Sequence, residues 1–126
     1  KMMLPGFIDN HLHASGTANL LFTVQLKGAQ TLEEYVQRVK AYDEQHPGAT
    51  VIQGHGWSNT IFPSASPNKA ALDAVVNDIP VALRSEDFHS LWVNSKALEI
   101  AGITKDTPNP EGGVIERNED GEPSGT

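Results

Sequence analysis

Three short apolar runs, at residues 2–13, 50–55 and 80–84, alternate along the chain with segments whose apolar residues recur at helical spacing. This alternation constrains the fold more than any other feature. Strand, helix, strand, helix, strand, helix is an α/β pattern, and it predicts parallel strands joined by crossover helices.

The helices carry their own start and stop signals. Thr31 followed by Glu34 is a capping-box pattern, and Leu32, Tyr35, Val36, Val39 and Tyr42 follow at helical spacing until Pro47-Gly48. Ser66 as N-cap with Pro67 at the first helical position predicts a second helix, with Ala71, Leu72, Val75 and Val76 inward, closed by residues 77–80. Asn94 or Ser95 can cap a third helix through Ala97, Leu98 and Ala101, with Gly102 placed to end it. Residues 14–30 show no clean period and read as a loop with one helical turn at most.

Beyond Thr104 the pattern changes. Pro108, Pro110 and Gly112-Gly113 lead into Val114-Ile115-Glu116-Arg117, and residues 118–121 can turn the chain back as a small hairpin. Residues 1–105 therefore read as one partial α/β domain, and 106–126 as a hairpin segment of that same domain. Most of the formal net charge of −7 lies on the hairpin, which holds six acids against one base, Arg117; residues 1–105 hold ten acids and eight bases. A nearly neutral body with an acidic end offers no basic face to phosphates, so nucleic acid is not an expected partner.

Further classes fall away on composition. There are no cysteines, which excludes disulfides, thiolate metal sites and a cysteine nucleophile. No stretch approaches the roughly 18 apolar residues of a membrane span. The first residues lack the regions of a signal peptide, and a cytoplasmic location is expected. The chain opens on an apolar run already under way and stops as a strand-like segment begins, which reads as a piece of a longer protein.

The sharpest chemical feature is His11-Leu12-His13 at the end of the first apolar run. Side chains two apart on a strand share a face, so both imidazoles can converge on one cation, with Asp9 and Phe7 on the same face below them. By itself the pair could equally flank a loop. An apolar strand ending in an Asp and two inward histidines is also how a metal site sits at the carboxyl end of a parallel strand.

The run Pro5-Gly6-Phe7-Ile8-Asp9-Asn10-His11-Leu12-His13 resembles the first-strand metal motif of the amidohydrolase superfamily. Gly54-His55-Gly56-Trp57, Leu72-Asp73, Asp78-Ile79-Pro80-Val81, the stretch from His89 to Leu98 and Gly112-Gly113-Val114-Ile115 resemble one branch of it, amidohydrolase family 3. That group is also described as YtcJ-like and includes N-substituted formamide deformylases. The resemblance implies a (β/α)8 TIM barrel, to which this chain contributes about three strand–helix units plus an inserted hairpin. Such barrels run to roughly 250 residues. It further implies that His11 and His13 hold a divalent metal, zinc above all, and that a metal-activated water attacks the carbonyl carbon at a C–N bond of a small-molecule substrate. The remaining ligands belong to later strands, so the piece alone is expected to be inactive.

Several other residues are candidates. His89 follows the third strand, where barrel active-site loops sit, and the resemblance makes it a catalytic pocket residue that hydrogen-bonds substrate or assists the metal centre; otherwise it is a surface-loop histidine or an N-terminal partner of the helix after it. Trp57 at the second strand's end can wall a substrate pocket or pack in the core. Asp87 and Arg84 can bind substrate, Arg84 through a carboxylate, or Arg84 can form an ordinary salt bridge with Glu86 or Asp87. His55 and Trp92 read as structural, and His46 as a solvated helix-end histidine. Two positions depart from the family pattern: Phe88 stands where a glycine commonly precedes the histidine, and Ser58 where an acid or amide often follows Gly-x-Gly-Trp.

A competing reading is a non-catalytic binding or oligomerising module that happens to carry a strand-end His pair. Under either reading, open edges of a parallel sheet invite self-association of the isolated piece.

Overall fold

A computed structural model describes residues 20–62 and 66–126. The first predicted strand, with His11, His13 and Asp9, lies outside the described residues. Four strands form one sheet in the order β1 (Val24–Gln25), β2 (Ile52–Trp57), β3 (Val81–Ser85), β4 (Leu91–Val93). The first three are mutually parallel and β4 is antiparallel to β3.

The crossover from β1 to β2 runs through α1 (Leu32–Gln45). Its start follows the sequence pattern with one difference. Thr31 Oγ1 accepts from Glu34 N at 3.2 Å, but the Glu34 carboxylate reaches one residue further back, to Gln30 N at 2.7 Å. Tyr35, Val36 and Val39 are buried from this helix, whereas Leu32 stays exposed. At its end His46 Nδ1 donates to the Tyr42 carbonyl, 2.8 Å away, and the imidazole stacks on the Tyr42 ring, which fits its reading as a helix-end histidine.

Between β2 and β3 lies α2, and here the predicted cap is corrected. The helix runs Lys69–Asp73 with Asn68 as its N-cap, accepting from Ala70 N at 3.0 Å. Ser66 instead donates to Glu116 of the C-terminal segment at 2.7 Å, and Pro67 precedes the helix. Leu72 and Val76 are buried, Val76 from the turn that follows. After β4 comes α3 (Ser95–Ala101), which obeys both of its signals. Asn94 caps it, accepting from Ala97 N at 3.0 Å, and Gly102 ends it in the left-handed conformation.

Two strands were not legible in the apolar pattern. Val24–Gln25 pairs with Gly54 and His55 inside the segment expected as loop, and Leu91–Val93 returns as a hairpin between the third expected strand and its helix. The first is only two residues long and the second three, too short to show a period of two.

The sheet's two faces differ in every row of the register. One row, Val24, Gly54, Leu83 and Trp92, crosses all four strands on the core face, joined there by Ile52 and Val81. Tyr35, Val36 and Val39 of α1 and Leu72 of α2 pack in this same core. The next row along, Gln25, His55, Arg84 and Leu91, alternates to the opposite, open face. Gly54 is required within the core row. A Cβ there would lie 2.6 Å from Leu83 Cδ2 and 2.9 Å from the Val24 carbonyl oxygen.

Asn94 joins the layers. Fully buried, it donates to the carbonyls of Val76 and Ile79 and accepts from Val81 N and Ala97 N, so every hydrogen-bonding position of its amide is used.

The C-terminal segment turns back as expected, through an antiparallel bridge between Arg117 and Pro123 and the bond Asn118 N to Glu122 O. It then reaches the body: Val93 N donates to Gly125 O at 2.8 Å and Lys69 N to Ser124 O at 2.7 Å. The guanidinium of Arg117 donates to the carbonyls of Thr104, Lys105, Thr107 and Gly121, which pins the preceding loop to the turn.

Candidate functional site

The carboxyl ends of parallel strands are where α/β sheets place ligands, because the loops leaving them are free of strand pairing and converge at one edge. In this chain the ends of β2 and β3 are joined directly, Glu86 N donating to Trp57 O at 2.9 Å. Immediately beyond lie Ser58, Glu86, Asp87 and His89.

On the β2 side, a bulge decides where Trp57 goes. His55 pairs with Arg84 and Trp57 with Ser85, leaving Gly56 as an extra residue at φ 96°. Without it Trp57 would share the open face with His55. With it the indole enters the core, fully buried, donates from Nε1 to Leu83 O at 2.8 Å, and meets the rings of Phe62 and Trp92 edge-on. Trp92 is buried too, and Nε1 donates to Asn68 O at 3.1 Å.

Ser58 then turns outward. Its N–H donates to the hydroxyl of Tyr35, which ties α1 to the strand end, and its own hydroxyl donates to Glu86 Oε1 at 2.5 Å and lies 3.0 Å from Thr60 Oγ1. Sequence reading noted Ser58 only as a departure from an acid or amide. The structure adds the carboxylate beside it, delivered by Glu86 from the neighbouring strand. The signal available in the sequence was that both residues directly follow a predicted strand of one parallel sheet.

On the β3 side, residues 86–89 form the loop of the β3–β4 hairpin, closed by Ser85 N to Ser90 O at 2.9 Å and Phe88 N to Ser85 O at 3.2 Å. Asp87 organises it. One carboxylate oxygen accepts from Ser85 Oγ at 2.5 Å and from His89 N at 3.1 Å, while the other lies 3.7 Å from His89 Nδ1. The Ser85 hydroxyl first, and the His89 amide next, hold the Asp87 carboxyl below its ordinary pKa, so it is ionised throughout the neutral range. The His89 ring is 85% exposed beside it, with Nε2 free to face a ligand. Arg84 forms no salt bridge with Glu86 or Asp87, and among the described residues no carboxylate lies within ion-pair distance of it.

His55 stands apart from this cluster, on the open face. The Thr23 hydroxyl donates to Leu20 O at 2.9 Å, so its oxygen is left to accept from His55 Nδ1 at 3.3 Å, and we assign the imidazole hydrogen to Nδ1. Partial burial pushes the His55 pKa down.

Among the described residues, no three His, Asp or Glu side chains stand together as metal ligands. His11 and His13 are outside those residues, and the described groups alone do not compose a metal site.

The amidohydrolase family pattern matches residues 1–126. The chain belongs to the amidohydrolase family. Among its relatives, the putative amidohydrolase YtcJ of Bacillus subtilis (strain 168) is 36% identical over 125 residues, covering 98% of this chain and 24% of that protein. The N-substituted formamide deformylase of Arthrobacter pascens is 33% identical over 129 residues, covering 100% of this chain and 24% of that protein. An uncharacterized metal-dependent hydrolase from Pyrococcus horikoshii OT3 superimposes with a TM-score of 0.63 at 29% identity, over 95% of this chain and 21% of that one. This amidohydrolase chain thus spans about a quarter of the length of the curated relatives it matches.

Proposed function

We propose that this chain is part of a metal-dependent hydrolase of non-peptide C–N bonds, amides, formamides or cyclic amides, built on a (β/α)8 barrel. The observation that carries the reading is the joined carboxyl ends of β2 and β3, which present Ser58, Glu86, Asp87 and His89 together at the edge where such enzymes work. The barrel reading is supported by the open sheet face. Parallel strands are covered on both faces in nearly all proteins, and a row of Gln25, His55 and Arg84 on a face that no described element covers suits the interior of a closed sheet.

A divalent cation, zinc by resemblance, would be held in part by His11 and His13 and would supply Lewis-acid polarisation of the carbonyl and a more acidic water. This chain's own side chains would bind and orient the substrate. Asp87 stays ionised and holds the His89 backbone amide, with its second oxygen 3.7 Å from Nδ1, leaving Nε2 to hydrogen-bond the substrate. Glu86, fixed by Ser58, accepts from an N–H of the substrate.

The test is made on the intact protein that contains this chain. Purified and analysed for metal, it should carry zinc, manganese or iron and hydrolyse members of a panel of N-substituted formamides, anilides and cyclic ureas. His11→Ala should remove the metal, and His89→Ala should retain it while lowering kcat/KM by roughly 100-fold. A metal-free protein that is inert on the whole panel would overturn the reading.

A further inference from the structure

We propose that Phe88 is the specificity-determining side chain of this site, forming the apolar contact for the substituent of the amide substrate; the inference rests on the hydrolase reading above. Its basis is a conflict between residue and backbone. Phe88 sits at φ 65°, the only residue other than glycine with positive φ among the described residues. The left-handed region crowds the Cβ of any L-residue, and for a bulky one it is a genuine outlier.

The loop enforces this conformation from both sides. Ser85 O accepts from Phe88 N at 3.2 Å, and the Asp87 carboxylate spans from the Ser85 hydroxyl to the His89 amide, so hydrogen bonds fix the backbone on either side of Phe88. A turn followed by a left-handed residue is the hairpin loop that places glycine at this point. Phenylalanine is therefore the costlier occupant of a position whose backbone favours glycine.

Burial does not offset the strain. The ring is 55% exposed, and it has no aromatic partner among the described residues. Strain kept without a packing gain concentrates at ligand sites. Here the strained residue lies between Asp87 and His89, on the loop whose first residue is tied to β2 and to Ser58. The other side chains placed at this edge among the described residues, Ser58, Glu86, Asp87 and His89, are polar. They can recognise an amide, but they cannot distinguish a bare amide from one carrying an aryl or alkyl group. A single large apolar surface beside them can, and a contact of that kind discriminates by roughly 10-fold to 100-fold.

The experiment compares kcat/KM of the intact protein, prepared with zinc or manganese, on aryl- or alkyl-substituted formamides and on unsubstituted formamide. Phe88→Gly should lower the preference for the substituted compounds by at least about 10-fold, with the loss carried by KM, while raising the melting temperature by roughly 2 °C because the strain is relieved. Phe88→Leu should restore most of the preference. An unchanged preference in Phe88→Gly overturns the inference and leaves the hydrolase reading intact. A fall in melting temperature with equal losses on all substrates also overturns it, since Phe88 would then be a packing residue. Failure of the wild type to hydrolyse any amide overturns the hydrolase reading, and this inference with it.

Discussion

The two faces of the sheet are separated by one residue of register, yet they follow opposite rules. On the core face, Val24, Gly54, Leu83 and Trp92 fit so closely that one position must lack a side chain. On the open face, Gln25, His55, Arg84 and Leu91 stand in an equally regular row, with polar groups leading it. The difference teaches that the core face specifies the fold, while the open face is left for whatever fills the space beyond it.

Substitutions can break this contrast at either face. The largest effect is expected at Trp57→Ala, which removes a fully buried indole and its bond to Leu83 O and should cost about 4 kcal/mol of stability, read from denaturant unfolding. A smaller and pH-dependent effect belongs to His55. Its pKa is lowered in the folded state from the ordinary 6.5. As pH falls below that value the unfolded chain binds more protons than the folded one, and stability declines. Above pH 6.5 the contribution is constant. His55→Gln should flatten the decline in melting temperature between pH 7 and pH 5; an unaltered slope would assign the titration to another group. The Asp87 carboxyl, lowered from the ordinary 3.8 first by the Ser85 hydroxyl, titrates below the range in which His55 acts.

The smallest effect is expected at Arg84→Met. Its side chain is exposed in this chain, so the change should stay within about 0.5 kcal/mol. In the intact protein the same substitution should cost more, since the barrel reading places further side chains over this face and an arginine buried there must be paired. Equal costs in the two settings would mean that the open face remains open.

The sequence was most legible where a local rule acts alone. Thr31, Asn94 and Gly102 each end a helix by a bond or a backbone conformation set within three residues, and each does so in the structure. Legibility failed where long-range partners compete. Ser66 fits a cap, but its hydroxyl goes to Glu116, fifty residues away, and Asn68 takes the role. Trp57 reads equally as pocket or core, because alternation along β2 gives no sign of the extra residue at Gly56 that turns it inward. Within the site, Asp87 and His89 were visible as a loop following a strand. The Ser58–Glu86 pair was not, since it exists only when two strand ends come together. The family resemblance runs over almost the whole chain, and the family pattern matches residues 1–126.

Arg117 has a further consequence. It is the only lysine or arginine beyond residue 105, and its guanidinium is held by four carbonyl groups. A protease that cuts after basic residues finds one cleavage site in the last 21 residues, and the side chain it must grip is already engaged. The residue that is this acidic segment's sole positive charge thereby also guards it against proteolysis.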